Sequence, residues 1–426
     1  MNRTLALTRQ RAQSTWRNML LFLAVLGPGI ITAFVDNDAG GITTYSVAAA
    51  TYGNRILWTV IPMTIALVVC QEMSARMGVI TGKGLADLIR ENFGARTTAV
   101  LMGSLLLANM ANTVSEFAGV AAGAEILGIP RWVSVPIGAL LVWMLIVRAS
   151  YRAVEKVFLV LSFFYIAYII SGVMARPDWG VVGRAAITPN FTLSRSYVIM
   201  LIGLVGTTIA PWMQFYLQSS VVEKRIRVEE YRYSRLDVIV GCLVTDVVTF
   251  FVLATVAATL FTHGVKVETA RDAALALAPL AGKYCAVLFA FGLMNASLFA
   301  ASVLPLTTAY YVCEAVGWEA GVSRKLGEAP VFFGLYTAMI VIGAAVVLIP
   351  GAPLIFLMLV SQVINGLLLP FILIFQLALI NNRRIMGRYV NSPLQNSVSW
   401  ATTVIMIAMS VVLVGVSLFP GLGGGG

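Results

Sequence analysis

Two aspartates stand two residues apart inside an apolar stretch near the start of the chain. Asp36 and Asp38 lie between the Gly-Pro-Gly of residues 27–29 and the Gly-Gly of residues 40–41, so helix-breaking residues flank both carboxylates. Inside a membrane, such charges and a backbone released from its helical hydrogen bonds are tolerated only when they are buried in protein or line a watery cavity. Carboxylate and carbonyl oxygens are ligands that hard cations prefer. The stretch therefore predicts one half of a cation-binding site.

A second interruption lies in a later apolar run. Residues 206–211 read Gly-Thr-Thr-Ile-Ala-Pro and combine small residues with a proline. A broken helix exposes backbone carbonyls and half-helix ends, which coordinate cations in transporters. Two ordinary proline kinks are the alternative, but kinks alone do not require Asp36 and Asp38. We expect the two breaks to lie together near the membrane midplane.

The elements that must position these breaks are membrane-spanning helices. Of the 426 residues, 59% are hydrophobic and only 11% are charged, which excludes an ordinary soluble domain. The repeated apolar runs of about 20 residues are long enough to cross a hydrocarbon core of roughly 30 Å, so the lipid bilayer is one expected partner. The net charge of +10 comes from basic residues scattered over short loops, and this pattern predicts no nucleic-acid partner.

Eleven apolar runs qualify as spans. We expect them at residues 19–52, 55–78, 98–128, 131–148, 153–175, 196–220, 236–262, 284–316, 330–349, 353–380 and 399–419. A single membrane domain is therefore predicted over residues 19–420, between a cytoplasmic tail of residues 1–18 and a flexible glycine-rich tail of residues 421–426. Most of the 29 lysines and arginines fall on loops that lie inside when the N-terminus is cytoplasmic. This orientation places the C-terminus outside and suits a bacterial inner membrane.

The two breaks fall five spans apart, in spans one and six. Interrupted helices at matching positions of two five-span halves are typical of inverted-repeat transporters, whose site lies between the breaks. We therefore predict an all-α polytopic membrane protein with a LeuT-like fold, inverted repeats over about 19–175 and 196–380, and an extra helix at 399–419. The sequence contains no nucleophile elbow, phosphate loop or His/Cys cluster, so we expect neither an enzyme nor a cofactor.

Three segments of the chain resemble the NRAMP divalent-metal transporters. They are the Gly-Pro-Gly before the acidic break, residues 71–86 at the end of the second span, and the tenth-span motifs at 361–363 and 369–370. The second-span motif, Gln-Glu-Met-Ser-Ala-Arg-Met-Gly-Val-Ile-Thr-Gly-Lys-Gly-Leu-Ala, is the most specific. The similarity extends from about residue 22 to 381. It implies the broken-helix inverted-repeat fold and a divalent cation as the transported substrate.

The chain departs from the family pattern at three signatures. Where the family has Asp-Pro-Gly-Asn in its first helix, this chain has Asp-Ala-Gly-Gly at residues 38–41, so the acid is kept and the asparagine ligand is lost. In the sixth helix, Ala210 replaces the methionine ligand and Trp212 replaces the histidine tied to proton movement. In the third helix, only Glu116 remains of an Asp-x-x-Glu pair implicated in proton release.

These departures change the metal site, which the resemblance places at Asp38, Gly41, the carbonyl of Thr207, and Ala210. A thioether favours softer transition metals, whereas carboxylate, carbonyl and water favour hard cations. Mg²⁺ usually keeps several waters and is held by one or two carboxylates. We therefore expect uptake of partly hydrated Mg²⁺, and also of Mn²⁺, driven by the membrane potential without proton coupling. The pattern is similar to that of the NRAMP-related magnesium transporters, an offshoot of the family.

Two other functions stay open on the sequence. One is a proton-coupled Mn²⁺ or Fe²⁺ importer, which the missing methionine disfavours. The other is a Na⁺-coupled organic solute transporter whose first break binds a substrate carboxylate, which two acids at the break would repel.

Further polar or bulky residues are expected to line the cavity, each with a structural alternative. They are Asp36, Asn37, Glu116, Asp246, Gln362, Asn365 and Trp212. For Asp36 and Asn37 the alternative is capping of the second half-helix, and for the other two acids it is a protonated group hydrogen-bonded in the bundle. The two amides could instead join helices, and the tryptophan is expected to pack across the former proton route.

Overall fold

The computed structural model describes residues 27–148 and 166–418, and within these ranges every regular element is a helix. Nine helical stretches among these residues are long and apolar enough to cross a membrane. The predicted tails at 1–18 and 421–426 lie outside the described residues, as do parts of the first and fifth predicted spans, at 19–26 and 153–165.

The first span consists of two half-helices, α1 (Pro28–Val35) and α2 (Ala39–Tyr52), which are separated by residues 36–38. Pro28 stands at the first helical position, where its missing N–H costs no hydrogen bond and its fixed φ suits a helix. A 3₁₀ turn (Gly53–Thr59) leads into α3 (Val60–Thr81). The predicted second span at 55–78 is therefore shifted by a few residues.

The third span is longer than predicted. Helix α4 (Leu85–Ile126) begins well before residue 98 and bends at Gly94, whose φ of 83° only glycine adopts readily. Helix α5 (Arg131–Arg148) follows as predicted. After residues 149–165 come α6 (Ile166–Met174) and α7 (Trp179–Ile187), of which the latter was predicted as part of a loop.

The second half repeats the pattern of a broken helix followed by long spans. Helices α8 (Arg195–Thr208) and α9 (Pro211–Glu223) are separated by residues 209–210, and α10 (Tyr231–Thr259) follows. The remaining helices are α11 (Ala270–Ala274), α12 (Ala278–Ala281), α13 (Cys285–Val316), α14 (Pro330–Val347), α15 (Leu354–Ile380), α16 (Arg383–Met386) and α17 (Pro393–Leu418). Short 3₁₀ turns lie at Val228–Glu230, Phe261–His263, Leu275–Leu277, Gly282–Tyr284 and Gly387–Tyr389. Helices α11 and α12 occupy a stretch predicted as a loop.

The half-helices of both breaks lie at the centre of the bundle, where α1 and α2 pack on α10, and α8 packs on α15. At the α8–α15 crossing the backbones touch: a Cβ on Gly206 would stand 2.3 Å from the nitrogen of Gly366, and one on Gly366 would stand 2.3 Å from the carbonyl oxygen of Ile202. Small residues permit such close helix approach in membranes. The crossing fixes the end of α8 near the core.

The second-span motif carries a buried ion pair. Arg76 Nη2 lies 3.1 Å from Glu72 Oε2, and both side chains are nearly inaccessible. Arg76 also donates hydrogen bonds to the carbonyls of residues 389–390 and to the side chain of Asn391, while Gln395 donates to Glu72 at 3.0 Å. These contacts fasten α3 to the start of α17, so the extra C-terminal helix is tied into the bundle by charge.

Candidate metal-binding site

The first break places Asp38 at the N-terminus of α2. Its Oδ1 accepts a hydrogen bond of 2.6 Å from the N–H of Gly41, so the carboxylate caps the half-helix. Free N–H groups and the helix dipole make this end favourable for negative charge. Capping accounts for one oxygen of the carboxylate.

Glu116 approaches the same half-helix end from α4. Its Oε2 accepts a hydrogen bond from the N–H of Ala39 at 3.2 Å, while Oε1 is buried and has no hydrogen-bond partner among the described residues. The carboxyl groups of Glu116 and Asp38 are direct neighbours. The structure therefore brings the predicted third-span acid to the predicted metal ligand.

Oxygen atoms crowd the Cα of Gly41, so a larger residue would not fit there without a shift. A Cβ at this position would lie 2.5 Å from the carbonyl oxygen of Asp36, 3.1 Å from Thr207 Oγ1 and 3.3 Å from Asp38 Oδ1. The hydroxyl of Thr207 is buried and has no partner in the part of the chain that is described. The end of α8 thus meets the first break at the position where the family has its asparagine.

The second break contributes a backbone carbonyl and a small side chain. Four residues after Thr207 stands Pro211, which has no N–H, so the carbonyl of Thr207 lacks its usual intrahelical donor. Ala210 is extended and buried and makes no side-chain cap bond at the start of α9. Trp212 is also buried, with its ring centroid 6.5 Å from that of Tyr216. This side supplies neither a charge nor a thioether.

Asn37 and Asp36 face helix α10 instead of the Asp38 side. Asn37 Nδ2 donates to Thr245 Oγ1 at 2.7 Å, and Thr249 Oγ1 donates to Asn37 Oδ1 at 3.3 Å. Both oxygens of Asp36 and both oxygens of Asp246 are buried without a hydrogen-bond partner in the described ranges. The suggestion that Asp36 caps the second half-helix is therefore wrong, because Asp38 and Glu116 occupy that end.

The two amides of α15 have different surroundings. Asn365 and Asn112 of α4 exchange hydrogen bonds of 2.9 and 3.0 Å, and Asn365 also donates to Gln362 Oε1 at 3.0 Å. Gln362 Nε2 lies over Gly40, where a Cβ would stand only 1.9 Å from it. Asn365 thus joins two helices, and Gln362 reaches the break itself.

Asp237 of α10 is a site residue that the sequence reasoning missed. Its carboxylate accepts hydrogen bonds from the N–H groups of Gly27, Gly29 and Ile30 at 3.2, 2.7 and 3.4 Å. It therefore caps α1, the half-helix that carries Asp36 at its other end. The available signal was an acid just inside the seventh apolar run together with the unpaired N–H groups that every helix N-terminus leaves.

The site is closed and poor in metal ligands of the usual kinds. Asp38, the most exposed of the predicted acidic site residues, is only 4% exposed, so all four acids are shielded from solvent in this structure. In residues 27–148 and 166–418, no three His, Cys, Asp or Glu side chains are grouped so that they could hold a metal ion. A cation here would need hydroxyl, carbonyl or water oxygens besides the acids.

Comparisons with known proteins place the chain among membrane transporters. Residues 29–415 match the family described as natural resistance-associated macrophage protein-like, or Nramp. The chain is 29% identical to the divalent metal cation transporter MntH of Deinococcus radiodurans over 412 residues, which cover 92% of this chain and 90% of that protein. It is 27% identical to MntH of Bacillus subtilis over 403 residues, with 92% of each chain covered.

Solved structures show the same fold. A manganese transporter of Eremococcus coleocola aligns with a TM-score of 0.74 at 22% identity, over 94% of this chain and 87% of that one. A nucleobase-cation-symport-1 family transporter in a closed conformation aligns with a TM-score of 0.57 at 13% identity, over 93% and 94%. The predicted all-α LeuT-like fold, with broken helices one and six, is confirmed.

Proposed function

Because its match over residues 29–415 shows that the chain belongs to the Nramp family, we propose that it carries divalent cations across the membrane. The relatives named for divalent metal cations and the similar fold named for manganese support this class of substrate. The observation that carries the proposal is the arrangement of oxygens between the two helix breaks, where Asp38 neighbours Glu116 on one side and lies with Thr207 around Gly41 on the other.

Mg²⁺ is the proposed principal substrate, and Mn²⁺ is accepted as well. Ala210 offers no thioether, and the buried atoms around Gly41 are oxygens. Such a ligand set favours hard cations. Mg²⁺ is usually held by one or two carboxylates and keeps several waters, which fits a site with few protein ligands and with small residues at 41 and 210. The ion is therefore transported partly hydrated.

The membrane potential supplies the driving force in this proposal. Moving one elementary charge through about 100 mV is worth roughly 2.3 kcal/mol, so a divalent ion gains about 4.6 kcal/mol. That energy corresponds to an accumulation of about 2000-fold. No coupled ion is needed to concentrate Mg²⁺ inside a cell with an inward-negative potential.

Proton coupling is not part of the proposed mechanism. The histidine that the family ties to proton movement is Trp212 here, and only Glu116 remains of the third-helix pair. The ring of Trp212 is buried and cannot carry a proton. Alternating access then consists of opening the site to one side and to the other in turn, at the breaks where α1 ends and α9 begins.

A proton-coupled Mn²⁺ or Fe²⁺ importer is the second candidate, and the similar fold named for manganese agrees with one of its two metals. A Na⁺-coupled transporter of an organic solute has less support, because the acids around the first break would repel a substrate carboxylate. The loss of the thioether at position 210 is what separates the first proposal from the second.

Uptake into proteoliposomes that contain the purified chain tests this function. A K⁺ gradient with valinomycin sets the potential, and indicators inside the vesicles report Mg²⁺ and pH. We expect Mg²⁺ entry that grows with the inward-negative potential, competition by Mn²⁺, and no pH change. Acidification of the lumen during Mg²⁺ influx at clamped potential would reject uncoupled transport. Strong Mn²⁺ entry without Mg²⁺ entry would favour the second candidate.

A further inference from the structure

Two carboxylates beside the first break, those of Asp36 and Asp246, take no part in the hydrogen bonds of the Asp38 site. Asp36 is 1% exposed and Asp246 is 3% exposed. All four of their oxygens are buried without a direct hydrogen-bond partner in the described parts of the chain. The hydroxyl of Thr64 lies beside Asp246 but donates to the carbonyl of Val60 at 2.8 Å. Buried polar groups are nearly always hydrogen-bonded, so two adjacent exceptions call for a ligand.

Hydrogen bonds on either side hold these acids in place without involving them. Asn37, next to Asp36, is bonded to Thr245 and Thr249, which flank Asp246 on α10. Thr245 Oγ1 also donates to the carbonyl of Ala33 at 2.6 Å. Hydrogen bonds thus join the neighbours of both carboxylates across the α1–α10 contact. The carboxylates themselves remain available to bind a ligand.

The local charge is negative. The charged groups that act on Asp36 are Asp246 first and Asp38 second, and no arginine or lysine of the described residues donates a hydrogen bond to Asp36 or Asp246. Desolvating a single ion costs several kcal/mol even in real proteins. In a dry core the two carboxylates are both charged only when positive charge accompanies them, and the summed charge of the ionised pair matches that of one divalent cation.

We propose that Asp36 and Asp246 form a second divalent-cation site, separate from the one at Asp38. The hydroxyl of Tyr45 and the thiol of Cys242 lie near both acids and are affected by their charge. An ion held by two carboxylates and several waters is a usual arrangement for Mg²⁺. The break then carries one acid pair on each face, Asp38 with Glu116 and Asp36 with Asp246.

This site goes beyond the proposed function, on which it relies only in taking Asp38 as the first site. Two ions close together repel each other, and multiple occupancy helps bound ions to leave in conducting proteins. Occupancy of the second site therefore favours release of the ion at Asp38.

Counting bound Mn²⁺ on the purified full-length protein tests the inference. Free Mn²⁺ is measured by electron paramagnetic resonance after equilibration, and the bound ion is divided by the protein concentration. We expect two ions per chain in the wild type, and one each in Asp246→Asn, Asp36→Asn and Asp38→Asn. Size-exclusion profiles check folding, and having two variants of the pair keeps the test valid if one of them aggregates.

Glu314→Gln is the matched control. Glu314 of α13 also has an unpartnered oxygen, Oε2, but its other oxygen accepts a hydrogen bond from Ser219 at 2.5 Å, away from both breaks. This variant should still bind two ions. One ion per chain in the wild type, two ions in folded Asp246→Asn, or loss of an ion in Glu314→Gln alone would overturn the inference. So would displacement of the second Mn²⁺ by Na⁺ but not by Mg²⁺.

Binding is measured without transport, so the two proposals fail separately. A chain that binds two Mn²⁺ ions and moves no Mg²⁺ retains the second site and loses the proposed function. A chain that transports Mg²⁺ with one bound ion does the reverse.

Discussion

The two helix breaks differ in what they bring to the centre of the bundle. The first, at residues 36–38, carries two carboxylates and is held by side-chain hydrogen bonds from α4 and α10. The second, at residues 209–210, carries no charge, and Ala210 makes no side-chain cap bond. One break supplies charge, while the other supplies small side chains and a carbonyl, that of Thr207, without its usual helical donor. Substitutions in the first should change whether a cation binds, and those in the second should change which cation binds.

The largest effect is expected from removing the charge of the first break. Asp38→Asn keeps an oxygen that can accept from Gly41 but loses the negative charge. We expect Mg²⁺ affinity and uptake to fall by more than about 100-fold, because removing one partner of a buried charged contact costs roughly 3–5 kcal/mol. Isothermal titration calorimetry and proteoliposome uptake measure the two quantities.

Asp178→Asn is the control for capping alone. Asp178 also caps a helix, accepting from the N–H groups of Gly180 and Val181 at 2.8 and 3.1 Å, but it is exposed on α7. Its variant should transport normally. Equal losses in both variants would mean that Asp38 matters only as a cap.

A smaller, selective effect is expected at the second break. Ala210→Met restores a thioether and should shift the preference between Mg²⁺ and Mn²⁺ toward Mn²⁺ by about tenfold, the equivalent of roughly 1.4 kcal/mol. Uptake competition between the two ions gives the ratio. Ala210→Leu has a similar volume without sulfur and should lower uptake of both ions alike. If leucine shifts the ratio of Mg²⁺ to Mn²⁺ uptake as much as methionine does, the volume of the side chain rather than the softness of the ligand sets selectivity.

The smallest effect is expected where the half-helices begin. Asp237 caps α1 and Ser194 caps α8, the latter by accepting from the N–H of Tyr197 at 3.3 Å. Asp237→Ala should lower the maximal uptake rate about fivefold, since a cap contributes about 1 kcal/mol, and should leave the half-saturating Mg²⁺ concentration unchanged. Ser194→Ala should have less effect. A larger loss of uptake in Ser194→Ala than in Asp237→Ala would contradict the expectation that the cap of α1 matters more than the cap of α8.

The breaks themselves could be predicted from local sequence. Glycine and proline act within a few residues, so the interruptions expected near 36–41 and 206–211 appear at 36–38 and 209–210. The bulk of the spans followed from apolar run length. The misplaced start of α4 has a local cause as well, because charged residues such as Arg90 and Glu91 extend the helix beyond its apolar part.

The directions of the side chains could not be predicted. Asp36 has helical backbone at the end of α1 and Asp38 has extended backbone at the start of α2, and their carboxylates face α10 and α4 respectively. The cap of α1 by Asp237 joins residues that are 210, 208 and 207 positions apart. Such pairings depend on how helices from different halves of the chain meet, and no periodicity within one helix encodes that.

The contacts of the ion pair in α3 have a consequence for biosynthesis. Glu72 and Arg76 enter the membrane with the second span, but Asn391 and Gln395, which complete their hydrogen bonds, are translated more than 300 residues later. Until then the nascent chain holds two charges whose final partners have not been made, and charged residues within spans are costly unless they are paired. Emergence of the last helix from the ribosome is therefore the step that completes the hydrogen bonds of a charge pair which until then is closed mainly on itself.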